Sequence, residues 1–197
     1  SDKIAGFTGD LTNMETLYVA KEFFNKTIKS KYLDSRTNNT YVNTTNKENY
    51  IFNSSINGIE DSDLILLVGT NPRLEATILN ARIRKTYVKN KLKIYSIGDV
   101  GDLTYPYINI GSNTSIIKEI ALGSHEISNK IKKSKRPIII IGESALAGKS
   151  GKYIFETLKN FLFNNNFINK DWNGLNVLNQ QASRAGAIDL GIYSINE

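Results

Sequence analysis

The sequence predicts a doubly wound α/β fold, in which a mostly parallel sheet carries helices on both faces. Two unbroken apolar runs, Leu64–Val68 and residues 137–141, have the length and composition of strands buried on both sides. Amphipathic helical patterns follow these runs, so strands and helices alternate along the chain. No repeat of 20 to 50 residues is visible, and the 197 residues are expected to form a single domain.

The first part of the chain is predicted to form a short strand, a helix and a long loop. Residues 4–7 form a short apolar run that ends in a Thr-Gly-Asp turn. Asn13 is expected to cap a helix whose apolar stripe consists of Leu17, Ala20 and Phe24. Residues 35–49 are rich in Asn and Thr and poor in apolar side chains, which predicts a long polar loop on the surface.

The turn after the first buried strand is the most informative segment. The apolar run stops at Gly69, and a helix begins within three residues, with Asn71 as a good N-cap and Pro72 suited to the first helical position. Glu75 then lies in the first turn, where the helix dipole favours an anion. The expected apolar stripe of this helix is Ala76, Leu79, Ile83 and Tyr87.

A strand, a glycine turn and a helix N-terminus together make an anion-binding corner of the Rossmann-like type. We call this segment the Gly69 corner and define it as Gly69, Thr70, Asn71 and Pro72. Whether the corner still holds a ligand decides which function the chain performs.

The remainder of the chain is predicted to continue the alternation of strands and helices. Strands are expected at residues 92–98, 107–110 and Leu175–Leu178, and residues 99–106 are expected to be irregular. Helices are expected over Ser115–Leu122, residues 125–133 and residues 151–163, with a turn or short helix over 180–190. The core face of the third of these helices consists of Ile154, Leu158, Phe161 and Leu162.

Composition excludes several kinds of site. The chain has no cysteine and one histidine, which excludes disulfides, thiolate nucleophiles, His-pair metal sites and cysteine-ligated clusters within these 197 residues. The net charge is +6, but the lysines are scattered apart from residues 130–136, so no nucleic-acid partner is predicted. No apolar run reaches about 18 residues, so no direct membrane insertion is expected. The opening SDKIAGF lacks an initiator methionine, which suggests a piece excised from a longer protein.

The segment GESALAGKS, residues 142–150, resembles a phosphate-binding P-loop only superficially. The P-loop motif has four residues between its glycines, whereas five residues separate Gly142 from Gly148 here. The length of the loop sets its curvature, and successive N–H groups must point inward together. We therefore interpret the segment as a glycine-rich surface turn with a solvated lysine.

The positions of the titratable residues indicate structural roles rather than catalytic or metal-binding ones. His125, in GSHE between two helical segments, is expected to be a surface or capping residue. The pairs Asp61 with Asp63 and Asp99 with Asp102 lie in turns, where carboxylates usually hydrogen-bond their own backbone. No catalytic residue and no metal ligand is predicted.

Five segments, in order along the chain, carry a resemblance to a known family. They are YIFNSSINGIEDSD, DLILLVGTNPRLEATILNARIRK, IGDVGDLTYPY, GSHEISNKIKKSKRPIIIIGESAL and DWNGLNVLNQQASRAGAIDLG. These segments resemble the large iron–sulfur subunit of NADH-quinone oxidoreductase, respiratory complex I. This region of that subunit is in turn similar to the molybdopterin oxidoreductase superfamily.

The resemblance implies a cofactor site that has been lost. In the superfamily the corner matched by Gly69, Asn71 and Pro72 holds a phosphate-bearing guanine dinucleotide. An Asp-Pro-Arg triplet at the end of the next strand holds the guanine edge, and this sequence has Gly98, Asp99 and Val100 there instead. The resemblance therefore implies a retained fold without molybdenum and without any cofactor in this chain. Iron–sulfur clusters are expected only in a cysteine-rich N-terminal region of the parent subunit.

The implied function is that of a non-catalytic scaffold or docking domain. The whole complex would transfer electrons from NADH to quinone and couple this to proton transport. Expected partners are other hydrophilic-arm subunits, with candidate contact surfaces at residues 130–135 and in the 35–49 loop. The expected location is peripheral, on the cytoplasmic face of a bacterial inner membrane or on the mitochondrial matrix side.

Two alternatives remain open. The chain is compatible with the cofactor-binding domain of an active molybdopterin oxidoreductase that keeps its pterin dinucleotide. It is also compatible with an independent nucleotide-binding module that uses the turn at Gly69 or Gly142.

Overall fold

A five-stranded parallel sheet forms the centre of the structure, a computed structural model that describes residues 3–36 and 38–193. Within these residues the strands are β1 (Gly6–Phe7), β2 (Leu33–Asp34), β3 (Leu64–Val68), β4 (Lys93–Ile97), β5 (Ile108–Asn109), β6 (Pro137–Gly142) and β7 (Leu175–Leu178). The large sheet has the order β5-β4-β3-β6-β7, and β1 pairs separately with β2.

The order of the strands creates a switch point at the middle of the sheet. The chain runs outward from β3 through β4 to β5, and then returns to the other side of β3 with β6 and β7. All pairs are parallel, and Leu64 is in register with both Lys93 and Pro137. In such sheets ligands bind outside the carboxyl ends of the strands at the switch point. This arrangement confirms the predicted doubly wound, Rossmann-like fold.

The helices lie on both faces of the large sheet and at its ends. In the described residues they are α1 (Met14–Glu22), α2 (Ser55–Gly58), α3 (Pro72–Glu75), α4 (Thr77–Asn90), α5 (Ser115–Leu122), α6 (Glu126–Lys133), α7 (Glu143–Leu146), α8 (Gly151–Asn164) and α9 (Arg184–Asp189). A π-helical turn, Phe23–Ile28, continues α1, and short 3-10 turns occur at Lys47–Asn49 and Ile59–Asp61. No helix in the described ranges is long and apolar enough to cross a membrane.

Two apolar layers enclose the sheet. Leu64, Leu66 and Val68 of β3 face the layer formed with α5, α6 and α8. Ile65 and Leu67 face the opposite layer, which includes side chains of α4. Because successive strand residues point to opposite faces, burial on both sides requires the unbroken apolar run of β3. Each such fully buried side chain contributes about 1.5–3 kcal/mol.

The helix predicted after the Gly69 corner is interrupted, contrary to the expectation of one continuous helix. Ala76 separates α3 from α4 with φ −153° and ψ 73°, although its N–H still bonds the carbonyl of Pro72. Ala76 packs against the α4-side layer, whereas Leu74 and Ile78 on either side are 80% and 72% exposed. The predicted contacts of Leu79 and Ile83 with the core are present.

The loop predicted over residues 35–49 is irregular, but its exposure was wrongly predicted. Ser35, Thr40, Val42 and Asn49 are buried, and residues 45–48 are exposed. Thr37, within this segment, lies outside the described residues. The cause is tertiary packing, because Tyr41 lies with its ring centroid 5.9 Å from that of Phe155 and its hydroxyl donates to Glu156 at 2.8 Å.

Candidate functional site

The Gly69 corner lies at the carboxyl end of β3 and turns sharply. Gly69 has a positive φ of 56°, and its N–H donates to the carbonyl of Ile97 at 3.1 Å. A Cβ atom at this position would lie 2.7 Å from Cβ of Ala145 and 2.9 Å from Oγ of Ser144. The corner therefore packs directly against α7, with no room for a side chain between them.

The Asn71 side chain forms hydrogen bonds through both of its polar atoms. Its Oδ1 accepts the N–H groups of Arg73 at 3.0 Å and Leu74 at 3.2 Å, and Pro72 occupies the first helical position. Its Nδ2 donates to the carbonyl of Val100 at 2.7 Å. The predicted N-cap is confirmed, and the same residue joins the corner to the loop that follows β4.

Glu75 accepts two hydrogen bonds from the corner. Its Oε1 accepts the N–H of Asn71 at 2.9 Å, and its Oε2 accepts the hydroxyl of Thr70 at 2.7 Å. Hydrogen bonds to a carboxylate are among the stronger ones in proteins, and a helix N-terminus further favours a negative charge. The chain thus supplies its own anion to the donors that would otherwise face a ligand.

The cation nearest to the corner is also paired. Arg73 donates through Nη1 to the carbonyl of Asp102 at 3.1 Å and forms an ion pair with its carboxylate. The N–H of Thr104, and secondly the Arg73 guanidinium, hold the pKa of Asp102 below its usual value. The positive charge of Arg73 is therefore directed to the loop after β4.

The turn after β6 packs directly against the Gly69 corner. Ser144 donates its hydroxyl to the carbonyl of Gly69, and a Cβ atom on Gly142 would lie 2.5 Å from Cβ of Thr70. The interpretation of residues 142–150 as a surface turn is therefore wrong for Gly142, Glu143 and Leu146, which are buried. It is confirmed for Lys149, which is exposed.

A buried ion pair anchors α7 to α9. Glu143 and Arg184 have side chains only 5% and 2% exposed, and their Oε1 and Nη1 atoms are 2.8 Å apart. Glu143 Oε1 also accepts the N–H of Gln180 at 2.7 Å, and Asn38 contacts both charged groups at 3.3 Å. This pair could not be predicted from the sequence, because its two members are far apart along the chain.

A cavity of about 320 Å³ lies beside the corner, at the ends of β3 and β4. Its floor is apolar and includes Val68, Ile97, Ile117 and Ile154. Its rim is polar and includes Ser112, Thr114, Lys149 and Ser150. Ser150 precedes α8 without a side-chain cap on that helix. This cavity is the space at the carboxyl edge that could receive a small ligand.

The residues at the carboxyl edge do not fit the dinucleotide that the superfamily resemblance implies. Val100 is 3% exposed and forms part of the apolar core. Asp99 points to solvent and accepts the N–H of Gly101 at 3.0 Å, so it caps its own turn. A guanine base would meet Gly98 where the resemblance implies an acid, and a phosphate at the corner would meet the Glu75 carboxylate.

The other titratable candidates have structural partners. His125 Nδ1 accepts the N–H of Ile127 at 3.2 Å and caps α6, which confirms the capping role. Asp63 accepts the N–H groups of Lys135 and Arg136 as well as its own backbone N–H, and Asp61 pairs with Arg136 at 3.3 Å. Across residues 3–36 and 38–193, no three His, Asp or Glu side chains are grouped so that they could hold a metal ion.

Comparisons with known proteins agree with this architecture. A family profile described as molybdopterin oxidoreductase matches residues 1–197. The 75 kDa subunit of NADH-ubiquinone oxidoreductase from Reclinomonas americana is 41% identical over 206 residues, covering 98% of this chain and 30% of the relative. The NADH dehydrogenase [ubiquinone] iron-sulfur protein 1 of Solanum tuberosum is 36% identical, covering 97% of this chain and 26% of the relative.

A bacterial relative extends the comparison. A subunit of the NADH-quinone oxidoreductase of Rickettsia bellii is 34% identical over 190 residues, covering 96% of this chain and 28% of the relative. The chain thus spans less than a third of the length of these curated relatives. With a family profile matched over its whole length, the chain belongs to the molybdopterin oxidoreductase family, and it is homologous to the large iron–sulfur subunits of respiratory complex I.

Proposed function

We propose that this chain is a non-catalytic scaffold and docking domain within the large iron–sulfur subunit of a NADH-quinone oxidoreductase. The observation that carries the proposal is the Glu75 carboxylate, which bonds the Asn71 N–H and the Thr70 hydroxyl at the Gly69 corner. The corner keeps the backbone shape of a nucleotide-binding turn, but its donors are used within the chain.

Electrostatics oppose a phosphate at this corner. A phosphate within about 4 Å of the Glu75 carboxylate would be repelled by about 1 kcal/mol in water and by about 4 kcal/mol near a protein surface. The Arg73 guanidinium, which could offset this repulsion, is paired with Asp102. The chain would have to break its own cap and its own ion pair before it could bind such a group.

The proposal assigns the redox chemistry to other parts of the complex. The 197 residues contain no cysteine, so the iron–sulfur clusters would be held by a different region of the parent subunit. The whole complex would pass electrons from NADH to quinone and couple this to proton transport. The domain would lie peripherally, on the cytoplasmic face of a bacterial inner membrane or on the matrix side of a mitochondrion.

Partner contacts would use the exposed basic segment of α6 and the residues after it. Lys132, Lys133 and Lys135 are exposed, while Lys130 pairs with Glu126 at 2.7 Å. In the described part of the 35–49 loop, Asn39 and residues 45–48 are exposed and suitable as a contact surface, whereas much of the segment packs inward. The partners would be other hydrophilic-arm subunits of the complex.

One observation favours a second candidate function. The 320 Å³ cavity has Lys149 and Ser150 on its rim and lies at the carboxyl edge of the sheet. A small anion bound there would make the chain a ligand-binding module that uses Gly69 of the corner but not Thr70, Asn71 or Pro72. Substitutions of Asn71 and Lys149 distinguish this candidate from the scaffold function.

The test introduces Asn71→Ala and Lys149→Ala separately into the gene for the full subunit in its host. The amount of assembled complex and the NADH:quinone turnover per bound flavin are measured. If the domain is a scaffold, Asn71→Ala is expected to lower the amount of assembled complex without changing the turnover per bound flavin. Lys149→Ala is then expected to change neither the amount of complex nor the turnover. Normal assembly with reduced turnover in Asn71→Ala would contradict the scaffold function. The same result in Lys149→Ala would favour the ligand-binding module.

A further inference from the structure

The strand β1 has one open edge. β1, α1 and β2 form a βαβ unit in which Gly6 donates to the carbonyl of Tyr32 at 2.8 Å and Thr8 donates to that of Asp34 at 2.9 Å. Alternate residues of a strand bond the same neighbour, so the N–H groups of Ala5 and Phe7 point to the opposite edge. Within residues 3–36 and 38–193, neither of these two N–H groups has a backbone partner.

The far edge of β2 is covered, in contrast to that of β1. The N–H of Ser35, next to β2, donates to the carbonyl of Ile192 at 3.2 Å. One face of the small sheet is also covered, because the Phe24 ring lies so close to Gly6 that a Cβ atom there would contact it. The outer edge of β1 is therefore the side on which the small sheet is incomplete.

Apolar side chains are exposed around this open edge. Phe7 is 62% exposed although it lies within the strand, and Ile4 before it is 45% exposed. Parallel sheets are normally buried, and two strands alone do not make a stable sheet. An exposed apolar edge is a template for pairing with another strand.

We infer that an extended apolar strand of the same, longer polypeptide pairs along the outer edge of β1 and completes this second sheet. The curated relatives are more than three times as long as the segment they share with this chain, so such a strand is available to them within one polypeptide. β1 consists of two residues, and its pairing buries far less than the roughly 800 Å² per partner of a stable complex. A strand tethered in the same polypeptide supplies the high effective concentration that so short an edge requires.

The pairing rests on the proposed function in that the chain is part of a longer subunit, but β1 does not contribute to the Gly69 corner or to the cavity beside it. Its failure would therefore leave the scaffold function untouched, and a ligand at the corner would leave the pairing untouched.

Hydrogen exchange on the monomeric full-length subunit tests the inference. The amides of Ala5 and Phe7 are expected to exchange at least about tenfold more slowly than in an unstructured peptide, since a paired edge is protected. Exchange at the unstructured rate would overturn the inference. Protection that appears only when the subunit dimerises, or only when other subunits are added, would assign the edge to those partners and would also overturn it.

A matched pair of variants identifies the bond responsible. Phe7→Pro removes the outward N–H but leaves the inward N–H groups of Gly6 and Thr8 in place. Phe7→Val keeps the N–H and suits a strand. The protection of Ala5 is expected to be lost in Phe7→Pro and retained in Phe7→Val. Equal protection in both variants would show that β1 does not pair along this edge.

Discussion

The Glu75 carboxylate accepts the backbone N–H of Asn71 at 2.9 Å, so that a backbone donor of the Gly69 corner is bonded within the chain. Glu75 is four residues after Asn71, and the same carboxylate holds the Thr70 hydroxyl with its second oxygen. The N–H groups of Arg73 and Leu74 at the helix N-terminus, which would attract a phosphate, are bonded separately by Asn71 Oδ1.

The first prediction concerns Glu75. Glu75→Ala is expected to lower the free energy of unfolding by about 1–3 kcal/mol, because two hydrogen bonds to a charged group are lost. Urea denaturation of the purified chain, followed through the fluorescence of Trp172, measures the change. Lys89→Ala, at an exposed position of α4, is the control and is expected to stay within about 0.5 kcal/mol of the wild type. Equal stability of Glu75→Ala and wild type would show that the carboxylate does not hold the corner.

The second prediction separates steric from conformational effects at glycine. Gly69→Ala combines a φ of 56° with a clash against Ala145, whereas Gly98→Ala has a φ of 97° but no atom within 4 Å of the new Cβ. Both variants are expected to lose stability, Gly69→Ala by more than about 1 kcal/mol and Gly98→Ala by less than Gly69→Ala.

Gly148→Ala completes this series. It has ordinary backbone angles and open space, so its melting temperature is expected to match that of the wild type. If Gly69→Ala were no less stable than Gly98→Ala, the close contact between the corner and α7 would be contradicted.

The elements whose formation depends mainly on neighbouring residues could be predicted from the sequence. β3 and β7 were predicted with the bounds they have, since β3 is an apolar run that ends at a glycine and β7 is a short, mostly apolar segment that begins after one. The cap at Asn71 followed equally from its position between Gly69 and Pro72. The doubly wound order followed from the alternation of strands and helices.

Features that depend on distant contacts were not predictable in this way. The 35–49 loop resembled a solvated segment, yet Tyr41 bonds Glu156 more than a hundred residues away. The short α7 appeared to be a surface turn, and only its contact with Gly69 and the distant Arg184 explains its burial. The break at Ala76 interrupts a helical pattern that is continuous in the sequence.

The third prediction concerns the buried pair of Glu143 and Arg184. Removing one partner leaves a buried charge without compensation, so Arg184→Leu and Glu143→Leu are each expected to cost about 3–5 kcal/mol. The double variant removes both charges and is expected to cost clearly less than the sum of the two single variants. A double-mutant cycle by chemical denaturation measures this difference. Additive single effects would contradict a direct interaction.

The fourth prediction concerns pH. A hydrogen bond from Arg82, followed by one from Lys85, lowers the pKa of Glu60 to about 2, from an ordinary value of 4.5. A lowered pKa stabilises the folded state above the ordinary value, and this contribution is lost as the pH falls from 4.5 towards about 2.

Glu60→Gln isolates this effect, because glutamine does not titrate. The variant is expected to have a lower melting temperature than the wild type at pH 7, and this difference is expected to shrink steadily as the pH falls from 4.5 towards about 2. Thermal denaturation followed by circular dichroism over this range measures it. A difference in melting temperature that does not change with pH would show that the ion pairs of Glu60 do not stabilise the fold.

The most direct measurement asks what the full-length subunit carries when it is purified from its native host. The denatured protein is analysed for released pterin by fluorescence and for molybdenum by mass spectrometry, with a purified molybdopterin enzyme as the positive control. A corner filled by Glu75 predicts neither pterin nor molybdenum above background. A stoichiometric pterin dinucleotide would contradict the scaffold function and would assign this chain to a working cofactor-binding domain.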